Sequence, residues 1–262
     1  MIDEEEKIPF TAHLDELRQR LVKSFIAIIV GFVVCFGFKE KLFAILTAPL
    51  VKAMNKGDTL VYTGLPEAFF TYLKVAFLAG LLVSAPVIIY QFWMFIAPGL
   101  YKRERRMLLP IVLLSSIFFI GGSLFGYFIV FPYGFKFFLS FANAHIRALP
   151  SMKEYLAFAA KMLIAFGLIF ELPLVITFLA RLGIISSKLL TRNRKYAILI
   201  IFIVSAILTP PDVVTQCLMA GPLIVLFEIS ILGARIFGKP RRKADAAEET
   251  TDDDSSEAPA DA

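Results

Sequence analysis

The chain has 262 residues, of which 58% are hydrophobic and 19% charged, with a formal net charge of +5. Several uncharged runs approach or exceed the roughly 20 residues that cross a hydrocarbon core, which a soluble domain of this size would not need. The composition therefore excludes a soluble globular protein and predicts an all-α integral membrane protein.

The first segment, residues 1–25, is acidic and long before its first apolar run, unlike a cleavable signal with a basic leader. Within it, "AHLDELRQRL" places Leu14, Leu17 and Leu21 on one helical face and His13, Glu16 and Arg20 on another. That pattern predicts an amphipathic helix lying on the membrane before the first span. Lys23 and Lys39 bracket span one, and an outer loop follows over residues 39–67. Span two begins at Lys74 and runs uncharged to Tyr101, span three lies between Arg106 and Lys136, and span four covers residues 155–180.

Residues 196–234 are interrupted by "TPPD" at 209–212, where consecutive prolines remove two backbone donors. A tight turn there divides the stretch into two short spans, the first of them only 196–208. Six spans put the N-terminal segment, "YKRERR", the 181–195 loop and "KPRRK" on one side, which the positive-inside rule assigns to the cytoplasm. Beyond Lys243 the tail holds eight of the 22 acids and no base, too polar to fold. Without it, 27 basic residues face 14 acidic ones, consistent with a basic surface beside anionic lipid. The predicted organisation is a six-span membrane domain over 1–238 and a basic, then acidic, disordered tail over 239–262.

Catalytic signals are missing. "GARIFGKP" at 233–240 begins like a phosphate-binding loop but ends in Pro240 where a magnesium-holding hydroxyl belongs, and no strand precedes it. His13 and His145 are the only histidines and lie outside the spans, while Cys35 and Cys217 lie in apolar runs as small hydrophobes. No metal site, cofactor, nucleic-acid motif or enzyme activity is expected.

Three acids stand apart. Glu171 lies with Pro173 inside "FGLIFELPLV". An acid near a span centre costs about 2.5 to 3.5 kcal/mol on insertion scales, so it is either satisfied by a freed carbonyl or neighbouring helix, or is a polar docking point. Glu16 has Arg20 one turn away, and Glu104 is the single acid among four bases in "YKRERR". Two carboxylates on one surface can each take an arginine fork in a bidentate geometry that lysine cannot reproduce. Glu228, near the end of the last span, reads as structural.

The motifs "HLDELRQRL" at 13–21, "TAPL" at 47–50, "SAPVIIYQFWMFIAPGLYKRERR" at 84–106, "FELP" at 170–173, "TPPDVVTQ" at 209–216 and "LFE" at 226–228 occur in one order. Over residues 8–240 the chain resembles the TatC family, multispanning receptor subunits of the twin-arginine protein translocase. The resemblance implies six transmembrane helices in a cup-shaped bundle, the last two spans short and both termini cytoplasmic, in a bacterial inner membrane. It implies that Glu16, Glu104 and Phe95 bind twin-arginine signal peptides of folded precursor proteins. Glu171, beside Pro173, would meet a partner helix within a cavity, Thr209 and Gln216 would form a docking patch for TatA or TatB, and Pro49 would belong to an outer cap. Self-association in a multi-copy complex and the proton-motive force as energy source are further implications. Two rival readings remain at this point: a proton-coupled small-solute transporter with Glu171 as relay, and a scaffold for membrane assembly.

Overall fold

In hydrocarbon a backbone satisfies its own hydrogen bonds only as a helix or a closed barrel, and the long apolar runs are helical among the described residues. A computed structural model describes residues 10–54, 58–62, 64–96, 108–142, 148–209 and 212–238. The expected tail at 239–262 lies outside them.

The helices in chain order are α1 Phe10–Phe36, α2 Lys39–Ala53, α3 Glu67–Ile96, α4 Leu108–Phe125, a π-helical turn Gly126–Val130, α5 Phe131–Leu139, α6 Met152–Phe170, α7 Leu172–Arg181, α8 Ser187–Arg192, α9 Arg194–Leu208 and α10 Val213–Phe237. Among the described residues, five helical stretches are long and apolar enough to cross a membrane, beginning at His13, Glu67, Leu109, Met152 and Val213. This is a multi-pass membrane protein. At about 1.5 Å per residue, the 15 residues of α9 reach about 22 Å, less than the roughly 30 Å hydrocarbon core.

Several boundaries differ from those expected. The surface-lying helix is corrected: the amphipathic segment and first span are one 27-residue helix, α1, because no proline or glycine interrupts residues 10–30. The outer loop contains a 15-residue helix, α2. Span two starts at Glu67, which leaves Lys74 two turns inside it. The last span is not short, since α10 continues for 25 residues past Pro222 and through Glu228 to Phe237. A proline in a membrane helix is tolerated when its surroundings satisfy the carbonyl it frees.

The chain divides into two compact units, Met1–Glu171 and Leu172–Ala262. In the first, α1 and α3 meet where Gly31 faces Gly80: a Cβ on Gly80 would lie 2.5 Å from the Phe32 nitrogen. Helices α4 and α6 meet similarly, with a Cβ on Gly122 placed 2.4 Å from the Phe166 carbonyl oxygen. Small residues let membrane helices approach closely where no hydrophobic effect drives them together. Pro49, buried within α2, cannot donate to the carbonyl of Ile45, and the Tyr127 hydroxyl donates to that carbonyl instead. Tyr155 does the same for Leu46, so two tyrosines from other helices fix α2. This holds Pro49 in a built element.

Gly80→Val is expected to lower the melting temperature in detergent by several degrees or prevent folding. Overpacking typically costs about 1–3 kcal/mol, and here the obstacle is backbone. Gly121→Val, with nothing within 4 Å of the added Cβ, should melt like wild type.

In the second unit α7 packs on α10, with Gly233 against Thr177. Asp212 caps α10 by accepting from the Thr215 amide at 2.8 Å. Glu228 accepts from Arg194 at 2.8 Å in an exposed pair, in keeping with a structural role and worth little on its own.

Candidate functional site

The glycine contact fixes the register of α1 against α3, and that register carries polar residues of α1 onto the last two turns of α3. One turn contributes Arg20, which donates to Glu16 Oε1 at 3.1 Å and to Gln91 Oε1 at 3.2 Å. The next contributes His13, stacked on Phe95 with ring centroids 4.5 Å apart and planes 21° from parallel. His13, Glu16 and Arg20 recur at helical spacing on α1, as do Gln91 and Phe95 on α3. The result is a ladder with an aromatic rung and a charged rung side by side.

Glu16 is half-buried and uses one carboxylate oxygen on Arg20, so the other remains for an incoming donor. Arg20 itself shows that the carboxylate sits where a guanidinium reaches it. Gln91, only 9% exposed, anchors the far side of that guanidinium. Glu104, the second expected arginine acceptor, lies outside the described residues.

A second polar chain starts two residues from the first. The Trp93 indole donates to the Ser115 hydroxyl at 2.9 Å, and Ser115, fully buried on α4, lies near the Glu171 carboxyl. One oxygen of that carboxyl, Oε1, is buried without a hydrogen-bond partner. Glu171 stands at the break between α6 and α7, with its amide donating to the Leu168 carbonyl at 3.1 Å in a tightened last turn. Pro173 is the second residue of α7, where a helical amide has no partner to lose. The proline therefore follows an interruption of the fourth span, and the acid occupies the interruption.

Thr209 and Gln216 are both engaged within the second unit. Thr209 is buried and its hydroxyl donates back to the Ser205 carbonyl at 2.9 Å. The Gln216 side-chain amide donates to the Phe202 carbonyl at 3.0 Å, tying α10 to α9. Ser205, fully buried with an unpartnered hydroxyl, is a polar residue that sequence reading passed over. It also passed over Gln91, Trp93 and Ser115, although an amide and an indole at alternate positions of an uncharged run were a visible signal.

The family model for Sec-independent protein translocase protein (TatC) matches residues 12–222. A TatC of Desulforapulum autotrophicum is 63% identical over 249 residues, covering 95% of this chain and 91% of that protein. The TatC of Escherichia coli (strain K12) is 40% identical over 240 residues, covering 91% and 93%. A crystal structure of the twin-arginine translocase receptor TatC superposes with a TM-score of 0.77 at 41% identity, covering 86% of this chain and 99% of that one. The residues matched include both polar chains of the first unit, and the chain belongs to the TatC family of Sec-independent protein translocase proteins.

Proposed function

We propose that this chain is the signal-peptide receptor and core subunit of a twin-arginine translocase, exporting folded proteins across a bacterial cytoplasmic membrane at the expense of the proton-motive force. The observation that carries the reading is the Glu16 carboxylate, already holding one guanidinium, set beside the Phe95–His13 stack in a chain of this family. Each carboxylate oxygen has two acceptor sites, so Glu16 can take an incoming arginine fork on both oxygens while Oε1 keeps Arg20. The neighbouring aromatic pair offers a flat face on which a guanidinium or apolar side chain can lie.

Recognition of paired arginines assigns one to Glu16 and the other to Glu104. Glu171 is the polar contact for a single-span partner of the TatA or TatB type, since its unpartnered Oε1 lacks only a donor. Thr209 and Gln216 belong to a second docking patch for such helices, and several copies of the chain assemble in the active complex. In the proposed arrangement α9 completes six spans over residues 1–238, both termini face the cytoplasm, and the subunit carries out no chemistry of its own.

Membrane vesicles containing this chain with TatA and TatB test the proposal directly. A folded reporter bearing a twin-arginine signal should enter the lumen and be stopped by a protonophore, not by nucleotide depletion. Continued import after the protonophore, or import that requires nucleotide, would refute it.

A further inference from the structure

The first unit holds a slot of about 730 Å³ between α3 and α6, within the roughly 300–1,000 Å³ range of small-molecule sites. Its walls are apolar, formed chiefly by Phe70, Phe77 and Leu81 of α3 and by Leu156, Ala157 and Ile164 of α6. Two cations break this surface, Lys74 two turns into α3 and Lys153 in the first turn of α6. Neither ammonium is paired with a carboxylate among the described residues. The acid at the mouth, Glu67, is turned toward other donors. It accepts from the amides of Gly64 and Lys153 at 3.2 Å each and from the Ser151 hydroxyl at 3.4 Å.

A lysine within a span is expensive unless it snorkels or finds an anion. Lys74 lies about 10 Å along the helix from Glu67, within reach of the headgroup level for a four-carbon stem. Both lysines thus line one slot whose remaining walls are chiefly apolar. We propose that this slot binds a membrane phospholipid, its phosphate between Lys74 and Lys153 and one acyl chain along the Phe77–Ile164 walls. Charge complementarity selects the phosphate and the apolar walls select the chain. The bilayer supplies such a molecule from the side without exposing it to water.

The test uses the full chain in detergent. Palmitoyl-oleoyl phosphatidylglycerol is titrated against the diacylglycerol with the same chains and against glycerol phosphate, with bound lipid counted by native mass spectrometry. Phosphatidylglycerol should bind more tightly than either, and Lys74→Gln/Lys153→Gln should weaken it by roughly 10- to 30-fold, as two lysines at a membrane surface contribute. Ala157→Phe fills the slot while keeping both lysines, and should displace the lipid to the same extent. Equal binding of phosphatidylglycerol and diacylglycerol, tight binding of glycerol phosphate alone, or lipid retention unchanged in both variants would overturn the assignment. So would cross-linking that places a partner helix, and no lipid, against Ala157.

Discussion

Glu16→Ala lowers affinity for a twin-arginine signal peptide by roughly 10- to 100-fold, the loss expected from one charge-assisted hydrogen-bonded contact of about 1.5–3 kcal/mol. Two effects add in one direction. The variant removes the acceptor for an incoming guanidinium, and it leaves Arg20 with Gln91 alone, so an uncompensated positive charge faces a positive ligand. Glu16→Asp keeps the charge but shortens the reach, and should fall between wild type and Ala. Asp15→Ala, on the exposed side of the same helix, should bind like wild type. Equilibrium binding of a labelled peptide to membranes containing each variant measures all four, and a Glu16→Ala affinity equal to that of Asp15→Ala would remove Glu16 from the site.

Glu171→Leu reduces transport by at least about tenfold while leaving peptide affinity within a factor of two. The variant discards the unpartnered Oε1, so a polar residue on a partner helix would have to be buried unsatisfied, a cost of about 1–3 kcal/mol. Peptide affinity should persist because the Glu16–Arg20–Gln91 ladder makes no use of the acid. Glu171→Gln, which retains an acceptor and adds a donor, should restore a substantial share of transport, and a relay that needs a titrating carboxylate would not be restored. Transport of a folded reporter and co-purification of the single-span subunits, measured together, separate assembly from proton transfer. Ser115→Ala should shift both readouts in the same direction by a smaller amount, because it removes a polar neighbour of Glu171 and leaves the acid in place.

The long spans were legible because an uncharged run of about 20 residues has few alternatives to a membrane helix. Glu16 with Arg20 was legible for a similar reason, as four-residue spacing on a helix puts two side chains together regardless of the rest of the fold. Arg20 with Gln91 was not. Those residues are 71 apart in sequence and meet only because Gly31 and Gly80 let two helix backbones close in one register. Trp93, Ser115 and Glu171 come from three helical segments and share the same limitation. Helix α2 escaped notice because its lysines and glutamate resemble a solvated loop, and what holds it is tyrosine hydroxyls donated from α6 and the π-helical turn. The expected break after the amphipathic segment came from reading the change from mixed to apolar sequence as an end, although a helix can cross that change without any backbone irregularity. The helix breaks at Glu171, two residues before Pro173, whose missing amide leaves the Ile169 carbonyl without its helical donor.

The central claim is that this chain recognises paired arginines by geometry as well as charge. It is tested most directly by measuring the affinity of the wild-type chain, in membranes, for a twin-arginine signal peptide and for the same peptide with twin lysine. Lysine preserves both charges but cannot form the forked pair with a carboxylate. The account predicts a loss of at least about tenfold with twin lysine, reduced or abolished in Glu16→Ala and Glu104→Ala because the acceptors that discriminate are gone. Equal affinity for the two peptides would contradict it.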